Sequence, residues 1–245
     1  MEATVSTRKT AVVTGVFFIV ASIAAAAGLL LYGPVLKAGY ISGSGADTRV
    51  FLGAFAEVIL AISCIGTAVT LFPIVKRQNE GVALGYFAGR LLEAGVIVVG
   101  IISVLSVVTL RQDLAGAAGA SALGQSLVAI HDWTFLFGPG FATGVGTLLL
   151  AYLMYTSRLV PRTIAVLGLI GGPLIFASGI AVLFGLYEQL SAVGTIAAIP
   201  VAAWEMILAV YLIVKGFRAS ALQQLGFVPA PADELQQAKE LKRAA

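Results

Sequence analysis

The chain has 245 residues, of which 59% are apolar and only 11% charged, with 15 basic and 12 acidic side chains and a formal net charge of +3. Soluble domains carry roughly 25% charge, so a chain this poor in charge excludes soluble enzymes, disordered proteins and nucleic-acid binders and indicates an integral membrane protein. A single cysteine, Cys64, and a single histidine, His131, exclude an internal disulfide, bis-histidine haem ligation and zinc sites that need several Cys or His ligands, and no cofactor is implied.

A hydrocarbon core of about 30 Å needs about 20 apolar helical residues, and six such runs follow one another. They cover Thr10 to Tyr32, Val50 to Val75, Ala83 to Leu110, Asp132 to Tyr155, Thr163 to Tyr187 and Gly194 to Gly216. Gly33-Pro34, Gly43-Ser44-Gly45, Asn79-Glu80-Gly81 and Pro161 break the chain between them. The first run is longer than a signal-peptide core of about 7 to 15 residues, and five more spans follow it, so it reads as a span. The stretch Ala115 to Gly124 reads as a loop or a weak interfacial helix. Asp47 with Thr48, and Asp132, read as helix caps of spans 2 and 4, with Trp133 as an interfacial anchor.

Eleven of the 15 basic residues fall on one side if the N-terminus is inside: Arg8, Lys9, Lys76, Arg77, Arg158, Arg162, Lys215, Arg218, Lys239, Lys242 and Arg243. Lys37, Arg49 and Arg111 fall on the other, and Arg90 lies within a span. This asymmetry places both termini in the cytoplasm. The expected architecture is all-α: a cytoplasmic segment 1–9, a six-helix transmembrane bundle 10–217, and a cytoplasmic tail 218–245 whose Asp233 to Arg243 stretch forms a short amphipathic helix.

Ionisable groups inside spans cost about 2.5 to 3.5 kcal/mol each on insertion scales, so they mark functional or structural polar networks. Glu57, Arg90, Glu93 and Glu205 are such groups, and His131 with Asp132 sits at the outer mouth of span 4. Arg90 and Glu93 share a helix face, with Tyr86 one turn earlier. If those two pair, Glu57 and Glu205 lack a buried positive partner. Counting Asp132, four negative charges then stand against one positive, which calls for protonation, a bound cation or a water-filled cavity. Gly138-Pro139-Gly140, Gly171-Gly172-Pro173 and Pro200 break the helices near these groups. Gly85/Gly89 and Gly140/Gly144 read as close helix contacts. Glu57, Glu93 and Glu205 are thus the candidate proton or cation sites, Arg90 their counter-ion, His131 and Asp132 the outer mouth, and Tyr86, Pro139 and Pro200 supporting residues.

Six stretches, Leu31 to Leu36, Ala46 to Ile62, Gly66 to Ala94, His131 to Gly140, Leu159 to Gly171 and Glu205 to Phe217, together resemble a family of bacterial membrane proteins known as domain of unknown function 4386. The resemblance implies a six-helix membrane protein with no settled activity. Three readings stay open. One is a small transporter or proton- or cation-coupled permease of the plasma membrane, whose partners are the lipid bilayer and a small solute, proton or cation. The others are a non-catalytic sensor or assembly protein whose polar network is structural, and an intramembrane carboxylate-metal enzyme using Glu57, Glu93, His131, Asp132 and Glu205. No nucleic-acid partner is expected, the enzyme reading is the weakest, and the oligomeric state is not legible.

Overall fold

The computed structural model describes residues 7–37, 39–43, 45–114 and 116–227, and these are helical apart from short connections. The helices are α1 (Thr7–Leu31), α2 (Asp47–Val75), α3 (Glu80–Leu114), α4 (Ala120–Phe135), α5 (Thr143–Ser157), α6 (Arg162–Leu183), α7 (Ala192–Val214) and the short α8 (Ala219–Gln224). A π-helical segment, Leu136–Ala142, joins α4 to α5 into one continuous rod. Six helical segments are long and apolar enough to cross a membrane, Ala120–Ser157 counting as one. Large apolar side chains such as Ile23, Leu30, Phe55, Leu92, Ile102 and Ile196 are exposed around the bundle, as a lipid-facing surface requires. The helix Asp233 to Arg243 expected in the tail lies outside the described residues.

The first residues of α1 and the last of α7 lie at one end of the bundle, the terminal end, with the α2–α3 and α5–α6 turns. The terminal end is tightly packed. Arg8 donates from its guanidinium to the carbonyls of Leu212 and Ile213 at 3.2 and 2.7 Å, capping α7. A Cβ on Gly15 would stand 2.6 Å from the Ala209 carbonyl oxygen, so α1 and α7 meet backbone to backbone there. The core of this half contains Phe18, Leu71, Ile74, Leu150, Met154, Trp204 and Leu208, all sealed from solvent. Residues 218–227 fold against the same end, where Arg77 donates to the Leu225 and Gly226 carbonyls just past α8 and stacks 4.0 Å from the Phe227 ring.

Two helical rods outrun the bilayer. α3 has 35 residues and the α4–α5 rod has 38, so each exceeds 50 Å at about 1.5 Å per residue, against a hydrocarbon core of about 30 Å. The tight α2–α3 turn fixes the terminal end, so the surplus projects from the opposite end. There a second core forms around Tyr40, Ile41, Val104, Val107, Leu110 and Ala120.

Two expectations are corrected here. The fourth span begins at Ala120, not near Asp132, and of the stretch read as a loop or a weak interfacial helix, residues 116–119 form a turn and 120–124 open α4. Alanine is the best helix former, and Ser103 of α3 ties the extension down by donating to the Leu127 carbonyl at 2.6 Å. Asp132 therefore lies within α4 and caps nothing. Asp47 and Thr48 are not caps of α2 either: Ala46 holds the cap position without a side-chain bond. The Asp47 carboxylate instead receives the Tyr40 hydroxyl at 2.6 Å, Gln112 at 2.9 Å and the Arg111 guanidinium, fastening the α1–α2 connection to the end of α3.

Candidate functional site

Arg90 projects from α3 into the middle of the bundle, one turn before Glu93 on the same face. Its Nη1 donates to Glu93 Oε2 at 2.7 Å and its Nη2 to Glu205 Oε1 on α7 at 3.2 Å. The expectation that pairing with Glu93 would leave Glu205 without a positive partner is thus corrected, because the forked guanidinium reaches both carboxylates. Glu93 is fully engaged: its Oε1 accepts the Thr143 hydroxyl at 2.8 Å and faces the Cys64 thiol at 3.8 Å. Glu205 is the accessible member, with 20% of its side chain exposed against 5% for Arg90. With all three groups ionised the cluster carries one net negative charge. Arg90 also lies 5.5 Å from the Phe18 ring, which packs edge-on against Trp204.

Above this cluster lies a cavity of about 450 Å³, bounded by every membrane-crossing rod. Arg90, Glu93 and Glu205 form its floor, and Thr143 and Cys64 line it beside them. Its walls are small or apolar: Ala21 and Ala25 of α1, Ala198 and Ala202 of α7, Gly140 and Gly179. Small side chains on α1 and α7 leave space where bulky ones, Phe18 and Trp204, close the bundle below.

The π segment shapes one wall. Pro139 has no N–H, so it removes the donor that an α-helix would direct at the Phe135 carbonyl. That carbonyl instead accepts the side-chain amide of Gln189, from the α6–α7 connection, at 3.0 Å. The same distortion carries Thr143 toward Glu93, and Pro139 itself lines the cavity. Phe135, Leu136, Val182, Gln189 and Leu190 line both this cavity and an outer one of about 370 Å³, whose wall contains Asp132, Trp133 and Glu188. The two cavities share this wall, and the outer one lies at the end opposite the termini.

A second polar group lies alongside. Glu57 of α2, Tyr32 after α1 and His131 of α4 surround a pocket of about 50 Å³. His131 is only 6% exposed and meets Tyr32 edge-on at 5.5 Å between ring centres. The buried Tyr32 hydroxyl has no hydrogen-bond partner among the described residues. Leu29, Leu60, Ile97, Phe135 and Pro139 separate this pocket from the main cavity and line both.

The six polar candidates therefore divide. Arg90, Glu93 and Glu205 converge, Glu57 and His131 form a neighbouring pair, and Asp132 turns outward with 66% of its side chain exposed, its Oδ1 3.4 Å from His131 Nδ1. Tyr86 is buried below the floor, where its hydroxyl donates to Thr67 at 3.2 Å. Pro200 packs against α6: a Cβ on Gly171 would stand 3.0 Å from its carbonyl carbon. Among the described residues no group of three or more His, Cys, Asp or Glu side chains is placed to hold a metal ion. Sequence reasoning missed Thr143, Cys64 and Gln189. Thr143 and Cys64 carry no charge to mark them within apolar runs, and Gln189 sits in a connection.

The family model described as "Domain of unknown function (DUF4386)" matches residues 13–216. No curated protein and no solved structure matches the chain.

Proposed function

The chain belongs to the family described as domain of unknown function (DUF4386), and from that premise we propose that it is a small permease, coupled to protons or cations, in the plasma membrane. Both termini lie in the cytoplasm. The concentration of basic residues around the terminal end, from Arg8 to Arg218, supports that orientation, and the cavity then opens to the exterior. The observation that carries the reading is the cavity of about 450 Å³ whose floor is the buried Arg90–Glu93–Glu205 cluster. A buried ion pair is weak evidence of stabilisation, and its position at the base of a ligand-sized space, beside a sealed half, supports a role in binding and releasing a charge. Glu57 and His131 form the second titratable group, beside the solute space, where a coupling proton would sit apart from the solute.

The pairing of Arg90 with both carboxylates favours one other reading, a non-catalytic sensor or assembly protein in which the cluster only locks helix packing. Proteoliposomes separate the two. The permease reading expects saturable, pH-dependent flux of at least one solute class that Glu205→Gln abolishes. Absence of flux across cationic, anionic and neutral solutes would overturn it.

A further inference from the structure

We propose that the cavity accepts a lipophilic organic cation, its positive charge beside Glu205 and its apolar body among the α1 and α7 alanines. This names the solute class for the permease reading and rests on it only for the claim of transport.

Five observations converge. The volume of about 450 Å³ suits a drug-sized body rather than a bare ion. The walls are mostly small or apolar and give such a body apolar contact, and the charged groups are confined to the floor. At that floor Glu93 has both oxygens engaged, by Arg90 and Thr143, while Glu205 spends one oxygen on Arg90 and keeps Oε2 without a protein partner among the described residues. The part-exposed carboxylate is thus the group still able to face a positive charge. The charges toward the outer end are acidic: among the described residues Asp132 and Glu188 line the adjoining outer cavity with no basic side chain, and the one basic residue lining the main cavity, Arg90, is paired with both carboxylates. Carboxylates along a low-dielectric passage draw cations and repel anions. Trp133 at the mouth and Phe135, shared by all three cavities, add aromatic faces suited to a weakly hydrated cation.

The matched probes tetraphenylphosphonium and tetraphenylborate, of similar shape and opposite charge, test this on the full chain in lipid nanodiscs, with empty nanodiscs as the partition control. The inference expects saturable phosphonium binding that borate does not displace. Glu205→Gln should weaken that binding by at least about tenfold. Ala202→Leu keeps every charge but fills the approach one turn from Glu205, and should remove binding while the thermal unfolding temperature holds. Equal binding of both probes, or a folded Glu205→Gln protein with unchanged affinity, would overturn the inference. The outcomes also separate it from the permease reading. Phosphonium bound but no solute moved retires transport and keeps the ligand class. Flux of a neutral or anionic solute indifferent to phosphonium retires the ligand class and keeps transport.

Discussion

Arg90 satisfies two carboxylates from two helices with one side chain, so its removal leaves more behind than it takes away. Arg90→Ala should destabilise the protein by about 3–5 kcal/mol, the range for a buried ion pair stripped of one partner, read as a lowered thermal midpoint in detergent. Arg90→Lys should not restore it, because a point-charge ammonium cannot fork between Glu93 and Glu205. A wild-type midpoint for Arg90→Ala would mean that the carboxylates do not depend on it. Other arginines do quieter work that charge counting does not reveal: Arg8 and Arg49 donate to the last carbonyls of α7 and α1, and Arg77 to the Leu225 and Gly226 carbonyls just past α8. Outside the membrane, burial and then the hydrogen bond to Asp47 push the Tyr40 hydroxyl up to about 12. A tyrosine raised above its ordinary value near 10 holds its proton more tightly folded than unfolded. The stability it lends is complete below about pH 10 and is lost as pH rises toward 12. Tyr40→Phe should flatten this alkaline decline in unfolding temperature, and an identical decline in the variant would contradict the assignment.

The elements meet through glycine, and the contacts are unequal enough to test. A Cβ on Gly172 of α6 would stand 2.8 Å from the Gly144 carbonyl oxygen and 2.9 Å from the Leu148 nitrogen, both backbone atoms that cannot swing away. One on Gly146 of α5 would meet nothing within 4 Å. Gly172→Ala should therefore cost about 1–3 kcal/mol, while Gly146→Ala should be neutral or stabilising by up to about 1 kcal/mol, both measured by thermal unfolding. Equal effects would show that these contacts do not set helix spacing. Six spans were legible in the sequence because lipid imposes one length and one composition on each. The same search truncated the fourth span, since a rod that outruns the bilayer is no longer bounded by bilayer thickness and Ala115 to Gly124 has a composition that suits loop or helix. The rarity of charge in lipid exposed Glu57, Arg90, Glu93 and Glu205. Which of them converge depends on helix rotation and on the π segment at Pro139, so the bridge to Glu205 and the arrival of Thr143 at Glu93 had no local signature.

At the scale of the molecule the two halves differ. The half bearing the termini is closed by Phe18, Trp204 and the α1–α7 contact at Gly15, and the other half holds the cavity over Glu205, which shares a wall at Gln189 with the outer cavity of Asp132 and Glu188. The proposed permease function depends on that asymmetry: on that reading a solute would enter from the end opposite the termini and stop at the charged floor. The most direct test is cysteine accessibility in intact cells. In a Cys64→Ser background, Ala198→Cys places a thiol on the cavity wall, and Lys37→Cys, exposed on the α1–α2 connection, reports the outer face. A membrane-impermeant maleimide applied from outside should label both, and excess tetraphenylphosphonium should protect only Ala198→Cys. Labelling at Lys37→Cys with none at Ala198→Cys would show that the cavity does not open to that side, and would contradict the account.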